Sequence, residues 1–344
     1  DEDDLQYWDT LRELMAATQD GHGFVNITDY SGKWNGVGVW PTLIEDRLIV
    51  ETLTKSSSEK IMLGDEIVSI DGKPALETLR REMDITAGSH QFKKRLVLGT
   101  LLYSSSESDS MALTLLNKDG VAYQVNMPYL DSVWKKRKYL YEKIEEVEEG
   151  IYYISLDRIE DEDLQQALPE LMKAEGIIFE LKRYPNCSPE FLRYLTYKPI
   201  KSARWNVPKI SYPDQLHLAE YDTSGRWTIY PAKQYLGSKK ITFVISGRAI
   251  SYAESLMGII EHYQLGPIVG EEATAGTNGN VNRIELPGGF RVNYTGMKVL
   301  KHDGSQHHLI GIQPTHPVTI TQQAIRERRD ELIEEALAIL KGEK

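Results

Sequence analysis

The chain has a single cysteine, Cys187, among 344 residues. That excludes an intrachain disulfide framework. It also lacks any run approaching the roughly 18 apolar residues that span a bilayer. Basic charge is not in excess: 40 Lys and Arg stand against 51 Asp and Glu, a net charge of −11. A nucleic-acid partner would want a basic face, so that class of function is set aside. The one basic cluster, Lys135 to Lys138, runs into the acidic stretch Glu142 to Glu149 and reads as a solvated, charge-mixed helix. The start, Asp1-Glu2-Asp3-Asp4, carries no signal peptide and reads as the trimmed end of a mature chain. No internal repeat or low-complexity segment is visible. What is present is a length that suits about two domains and a hydrophobic content of 41%, enough for real cores.

Leu5, Trp8, Leu11, Leu14 and Met15 recur at helical spacing and predict a helix over residues 5–18. Asp20-Gly21-His22-Gly23 stops it, and Phe24 to Ile27 reads as a strand. From about Trp34 to Pro128 short β-like runs alternate with turns: Gly36 to Val39, Arg47 to Val50, Glu66 to Ile70, Ala112 to Leu116 and Ala122 to Val125. From Tyr129 onward strands and helices alternate. Gly150 to Ser155, Gly176 to Leu181, Ile241 to Ile245 and Pro267 to Val269 are nearly continuous apolar runs, as in strands buried on both faces of a mainly parallel sheet. Helices are expected over 161–174, 251–263 and, as one long charged element, 322–341.

One junction carries chemistry. The run Ile241 to Ile245 ends in Ser246-Gly247-Arg248-Ala249-Ile250, and a helical pattern opens at Ser251. A serine at a helix start lies beside free N–H groups that can hold an anion, which makes Ser251 a candidate nucleophile. The same residues, Ser251-Tyr252-Ala253-Glu254, also spell a capping box. A serine so placed can both cap and attack. His22, between two glycines, is a candidate general base, since a neutral imidazole can take the serine proton. His307 and His308 are adjacent, and adjacent side chains on an extended chain point apart, so no metal site is expected there. Cys187 reads as a loop residue.

Leu63-Gly64-Asp65-Glu66 to Ile70-Asp71-Gly72 resembles the PDZ signature, a Gly-Asp turn, a buried strand and an Asp-Gly hairpin. The resemblance implies a PDZ-like domain over 33–128, with Gly36, Val37, Gly38 and Val39 where a peptide end would bind as an added strand. The whole order resembles the tail-specific, or carboxy-terminal processing, family of serine peptidases, closest to its tricorn-core-like branch. Asp20-Gly21-His22, Gly176 to Asn186, Ser251 to Glu254, Val269-Gly270-Glu271 and Gly311-Ile312-Gln313-Pro314 carry that resemblance. It implies an α/β fold: a Clp-protease/crotonase-like core (1–32 and 129–344, ending in a helix) with the PDZ-like insert. It implies Ser251 and His22 as catalytic pair, backbone donors at Tyr252, Arg183 and Asn186, no cofactor, no metal, a polypeptide substrate and an extracytoplasmic location.

The chain departs from the family in named places. The loop Glu272 to Asn280 has no lysine where the processing branch carries its base. Gly21 stands where the tricorn-like branch has a serine, and His308 where it has a glutamate. His308 and Thr277 are therefore the candidate orienting groups. The alternative function is a degraded member that binds peptides through the PDZ-like module. An acyl-CoA enzyme of crotonase type would leave that module unexplained.

Overall fold

The computed structural model describes residues 2–27, 35–104, 108–210 and 218–343. The expected boundary between residues 32 and 33 lies outside them.

Helix α1 (Glu2–Thr18) packs Leu11 and Met15 with Val25, Phe290 and Val292. The strand Val25–Ile27 then pairs with Phe290–Thr295, so the segment after Asp20 is tied to a hairpin more than 260 residues away. Residues 35–128 form a separate sheet ordered Val39–Ile44, Arg47–Leu53, Glu66–Ile70, Ser110–Leu116 and Ala122–Pro128. Asp71 and Gly72 both take positive φ, 47° and 78°, and close a two-residue hairpin to Lys73–Pro74 as the sequence implied. Helices α2 (Ala75–Asp84) and α3 (His90–Thr100) pack against this sheet around their own apolar cluster.

The larger unit holds a six-stranded sheet: Ile144–Glu148, Ile151–Ser155, Gly176–Leu181, Lys240–Ile245, Ile268–Gly270 and His316–Pro317. Its first pair is antiparallel and the other four pairings are parallel. Alternate residues serve opposite faces. Ile177, Phe179, Phe243 and Ile245 pack with α4 (Asp161–Leu171) and α5 (Tyr252–Tyr263). Ile178, Val244 and Val269 pack with α7 (Glu331–Lys341). The four apolar runs are thus buried on both faces, and each large side chain so buried contributes about 1.5–3 kcal/mol.

Two expectations need correction. The single helix over 322–341 is two, α6 (Gln322–Glu327) and α7, because Arg328 turns left-handed at φ 57° and Asp330 caps a new start through Leu332 and Ile333 N–H. The basic-then-acidic stretch is not a helix either. Val133–Lys136 is a short 3₁₀ turn and Ile144–Glu148 is an edge strand, in which Glu146 is exposed while Ile144 and Val147 pack against the apolar clusters on the two faces of the sheet. Among the described residues no helix is long and apolar enough to cross a membrane.

Candidate active site

Ser251 ends the turn that leads from Lys240–Ile245 into α5, with φ 60° and ψ −112°. A non-glycine residue in that region costs on the order of 1–3 kcal/mol and persists only where its surroundings over-determine it. Here they do. Ser251 N–H donates to the Thr277 carbonyl at 2.8 Å, Ala275 N–H to Ala249 at 2.9 Å, and Ser255 N–H to the Ser251 carbonyl at 3.0 Å. Ser246 Oγ ties the start of the turn to Lys182 O at 2.6 Å. The expected capping box does not form: Ser251 makes no side-chain cap bond. A capping serine is extended, and this one is not. Its Oγ has only a 3.5 Å approach to Gly279 O, too long to hold the hydroxyl.

Glu254, the other half of the expected box, is fully buried and turned into the loop after the sheet. Its Oε1 accepts Thr274 Oγ1 at 2.5 Å and Gly276 N–H at 2.7 Å, and its Oε2 accepts Thr277 N–H at 2.8 Å. His307 Nε2 lies 3.2 Å from Oε1, out of line for a hydrogen bond. Thr277 is the junction of the site. Its N–H reaches Glu254, its carbonyl receives Ser251, and its Oγ1 accepts Gly21 N–H at 3.0 Å. A Cβ on Gly21 would sit 2.8 Å from that Oγ1. The glycine that replaces the resemblance's serine therefore has a steric reason.

The Gly21 contact brings His22 beside the Ser251 turn. His22 is buried, and its Nδ1 lies 2.9 Å from Thr295 Oγ1. Thr295 Oγ1 donates to Asp20 Oδ1 at 2.6 Å, and Thr295 N–H donates to Oδ2 at 2.6 Å. The threonine proton is committed to the carboxylate, so its oxygen accepts from Nδ1–H. That fixes the tautomer and leaves Nε2 with a free lone pair. Burial pulls His22 below the usual histidine value, with Asp20 and then Glu254 pulling back. No hydrogen bond joins His22 to Ser251 here, and bonds of this kind tighten on substrate binding.

Residues 192–318 match Peptidase family S41. The chain's fold is similar to that of mature CPAF complexed with lactacystin, at 16% identity and TM-score 0.74, over 97% of this chain and 87% of that one. Another structure of mature CPAF gives 16% identity and TM-score 0.72, over 97% and 86%. At such identities the likeness is one of fold. No curated protein matches the chain.

The remaining candidates fall unevenly. Tyr252 starts α5, its hydroxyl donating to Cys187 O at 2.9 Å and its ring against Tyr184 and Trp227. The Asn186 N–H is spent on Leu156 O at 2.9 Å and is no oxyanion donor. Arg183 points instead to Tyr139 Oη at 3.3 Å and Asp157 at 3.8 Å. His308 is exposed, whereas its neighbour His307 is the buried one. Cys187 is buried, and burial pushes its thiol up to about 12, where it stays protonated. Gly36, Val37, Gly38 and Val39 are all buried, and Val37 N–H and the Gly36 and Gly38 carbonyls are already bonded within the chain. Sequence reading missed Asp20 and Thr295. Asp20 carried a signal, an acid two residues before the candidate base. Thr295 carried none.

Proposed function

We propose that the chain is a serine peptidase acting on polypeptides, with Ser251 as nucleophile and His22 as general base. The observation that carries this is the Ser251 backbone. A positive-φ serine at a strand-to-helix turn, strained and not capping, matches a nucleophile presented to substrate. Ser251 Oγ attacks the scissile carbonyl as its proton passes to His22 Nε2. The imidazolium so formed is stabilised through Thr295 by Asp20, which takes the orienting role of the absent glutamate. The oxyanion meets the α5 start, with Tyr252 N–H as first donor. His22 then returns the proton to the leaving amine, and water releases the acyl group by the same route.

In this reading the core is of the Clp-protease/crotonase type, and residues 33–128 are a PDZ-like module that presents the polypeptide. Because Gly36 to Val39 are buried, a peptide end reaches them only after the module opens. The reading also puts the enzyme outside the cytoplasm. A fluorophosphonate probe tests the chemistry: mass spectrometry should find it on Ser251 in the wild type and nowhere in Ser251→Ala. Persistent labelling of the variant, or an unreactive wild type that still binds peptides, would replace this reading with that of a peptide-binding protein.

A further inference from the structure

A cavity of about 540 Å³ lies between the smaller sheet unit and the core. On one wall are Trp40, Thr52 and Gly99; on the other are Arg183, Ser246 and Arg248; Arg137 reaches in from the connection between them. The chain carries a net charge of −11, yet ten Lys and Arg line this cavity against five Asp and Glu, Glu51 and Glu271 among them. Among the described residues no carboxylate lies within ion-pair distance of Arg137 or Arg248. The Arg137 side chain has one long hydrogen bond, Nη2 to Thr52 Oγ1 at 3.5 Å, and its guanidinium lies 5.3 Å from the Trp40 ring centroid. Arg183 holds Asp157 only at 3.8 Å. Burial, and after it the charge of Arg183, pulls both Arg137 and Arg248 down to about 10, with Glu51 pulling Arg137 back, so both remain charged at neutral pH.

A Cβ on Gly99 would sit 2.7 Å from Arg248 Nη1. Glycine inside α3 costs about 1 kcal/mol against alanine, and here the missing Cβ leaves room for the Arg248 guanidinium beside the helix. A desolvated, unpaired charge is expensive to keep. Paired charges elsewhere in the same cavity mark the contrast: Lys182 is held by Glu180 at 2.6 Å and Asp330 at 3.3 Å. The planar guanidinium fork fits a carboxylate in bidentate fashion.

We infer that this cavity receives acidic side chains of the polypeptide, with Arg137 and Arg248 as their anchors, so that the enzyme prefers Glu- or Asp-containing segments. The inference deepens the peptidase reading and rests on it for its consequence. Arg248 precedes Ser251 by three residues, a span of at most about 11 Å along an extended chain. An acidic residue held there lies within a few positions of the bond that Ser251 attacks. The aromatic walls and the volume suit a short peptide segment, in the range of about 300–1,000 Å³ for ligand sites.

The test is binding, separate from turnover. Fluorescent decapeptides, acetylated and amidated at their ends, carry two Glu in one version and two Gln in the other. Anisotropy with the full-length Ser251→Ala protein at low salt should show at least tenfold tighter binding of the Glu peptide, lost as salt rises. In Arg137→Gln and Arg248→Gln that preference should fall to about twofold, with a melting temperature no lower than the parent's as the control for folding. Arg193→Gln, an exposed arginine paired to Glu190, should keep it. Equal binding of the two peptides overturns the inference. So does a preference that survives both variants, or one conferred only by a free terminal carboxylate on the Gln peptide. Failure of fluorophosphonate labelling at Ser251 would remove the peptidase reading and leave this binding result standing.

Discussion

Glu254 and Arg248 sit six residues apart on either side of one turn, and the protein treats their charges in opposite ways. Glu254 is sealed from water and accepts three hydrogen bonds from a loop that also clasps Ser251. Arg248 borders a cavity beside a second desolvated arginine, and among the described residues no carboxylate lies within ion-pair distance of it. A buried charge with its hydrogen bonds complete is part of the scaffold. A charge held in a cavity without them is waiting for something from outside. The same turn therefore has a structural side and a binding side, and Ser251 stands between them.

The sharpest way to break that contrast is to remove the structural side. Glu254→Ala leaves Thr274, Gly276 and Thr277 donors unpaired and should cost about 3 kcal/mol or more in denaturant unfolding, seen as a lower midpoint at constant slope. The binding side predicts the reverse sign. Arg248→Gln should change stability by less than about 0.5 kcal/mol, or raise it, because the fold already disfavours that charge. A large loss there would place Arg248 with Glu254 as scaffold. Between these two lies the histidine relay. Thr295→Val keeps the volume but cuts Asp20 off from His22, and should lower kcat by roughly 10²-fold with KM little changed. An unchanged kcat would reduce the relay to packing.

Much of this was legible in the chain, for reasons that differ by element. The four core strands announced themselves because burial on both faces leaves a continuous apolar run, as in Ile241 to Ile245. The Asp71-Gly72 hairpin was legible because few residues tolerate its positive φ. Ser251 was found through its place between a strand and a helix, yet its backbone conformation was hidden: Ser-x-x-Glu spells a cap, and only the tertiary pull of Thr277 and the loop overrides it. Arg137 was misread as part of a solvated helix, since local charge pattern says nothing of a cavity closed by a distant element. Thr295 lies 273 residues from His22, and one threonine in a strand has no sequence signature.

The central claim is that Ser251 is activated by a buried, neutral His22. Its most direct test is the rate of fluorophosphonate labelling at Ser251 as a function of pH. The base must be neutral to act, and burial lowers its pKa from the reference 6.5. Labelling should therefore be full at neutral pH and fall as the pH drops through a single ionisation below 6.5. In His22→Ala that limb should vanish, with labelling at pH 7 slowed by roughly 10²-fold or more. Labelling of His22→Ala at the wild-type rate, or a wild-type limb well above 6.5, would contradict the account.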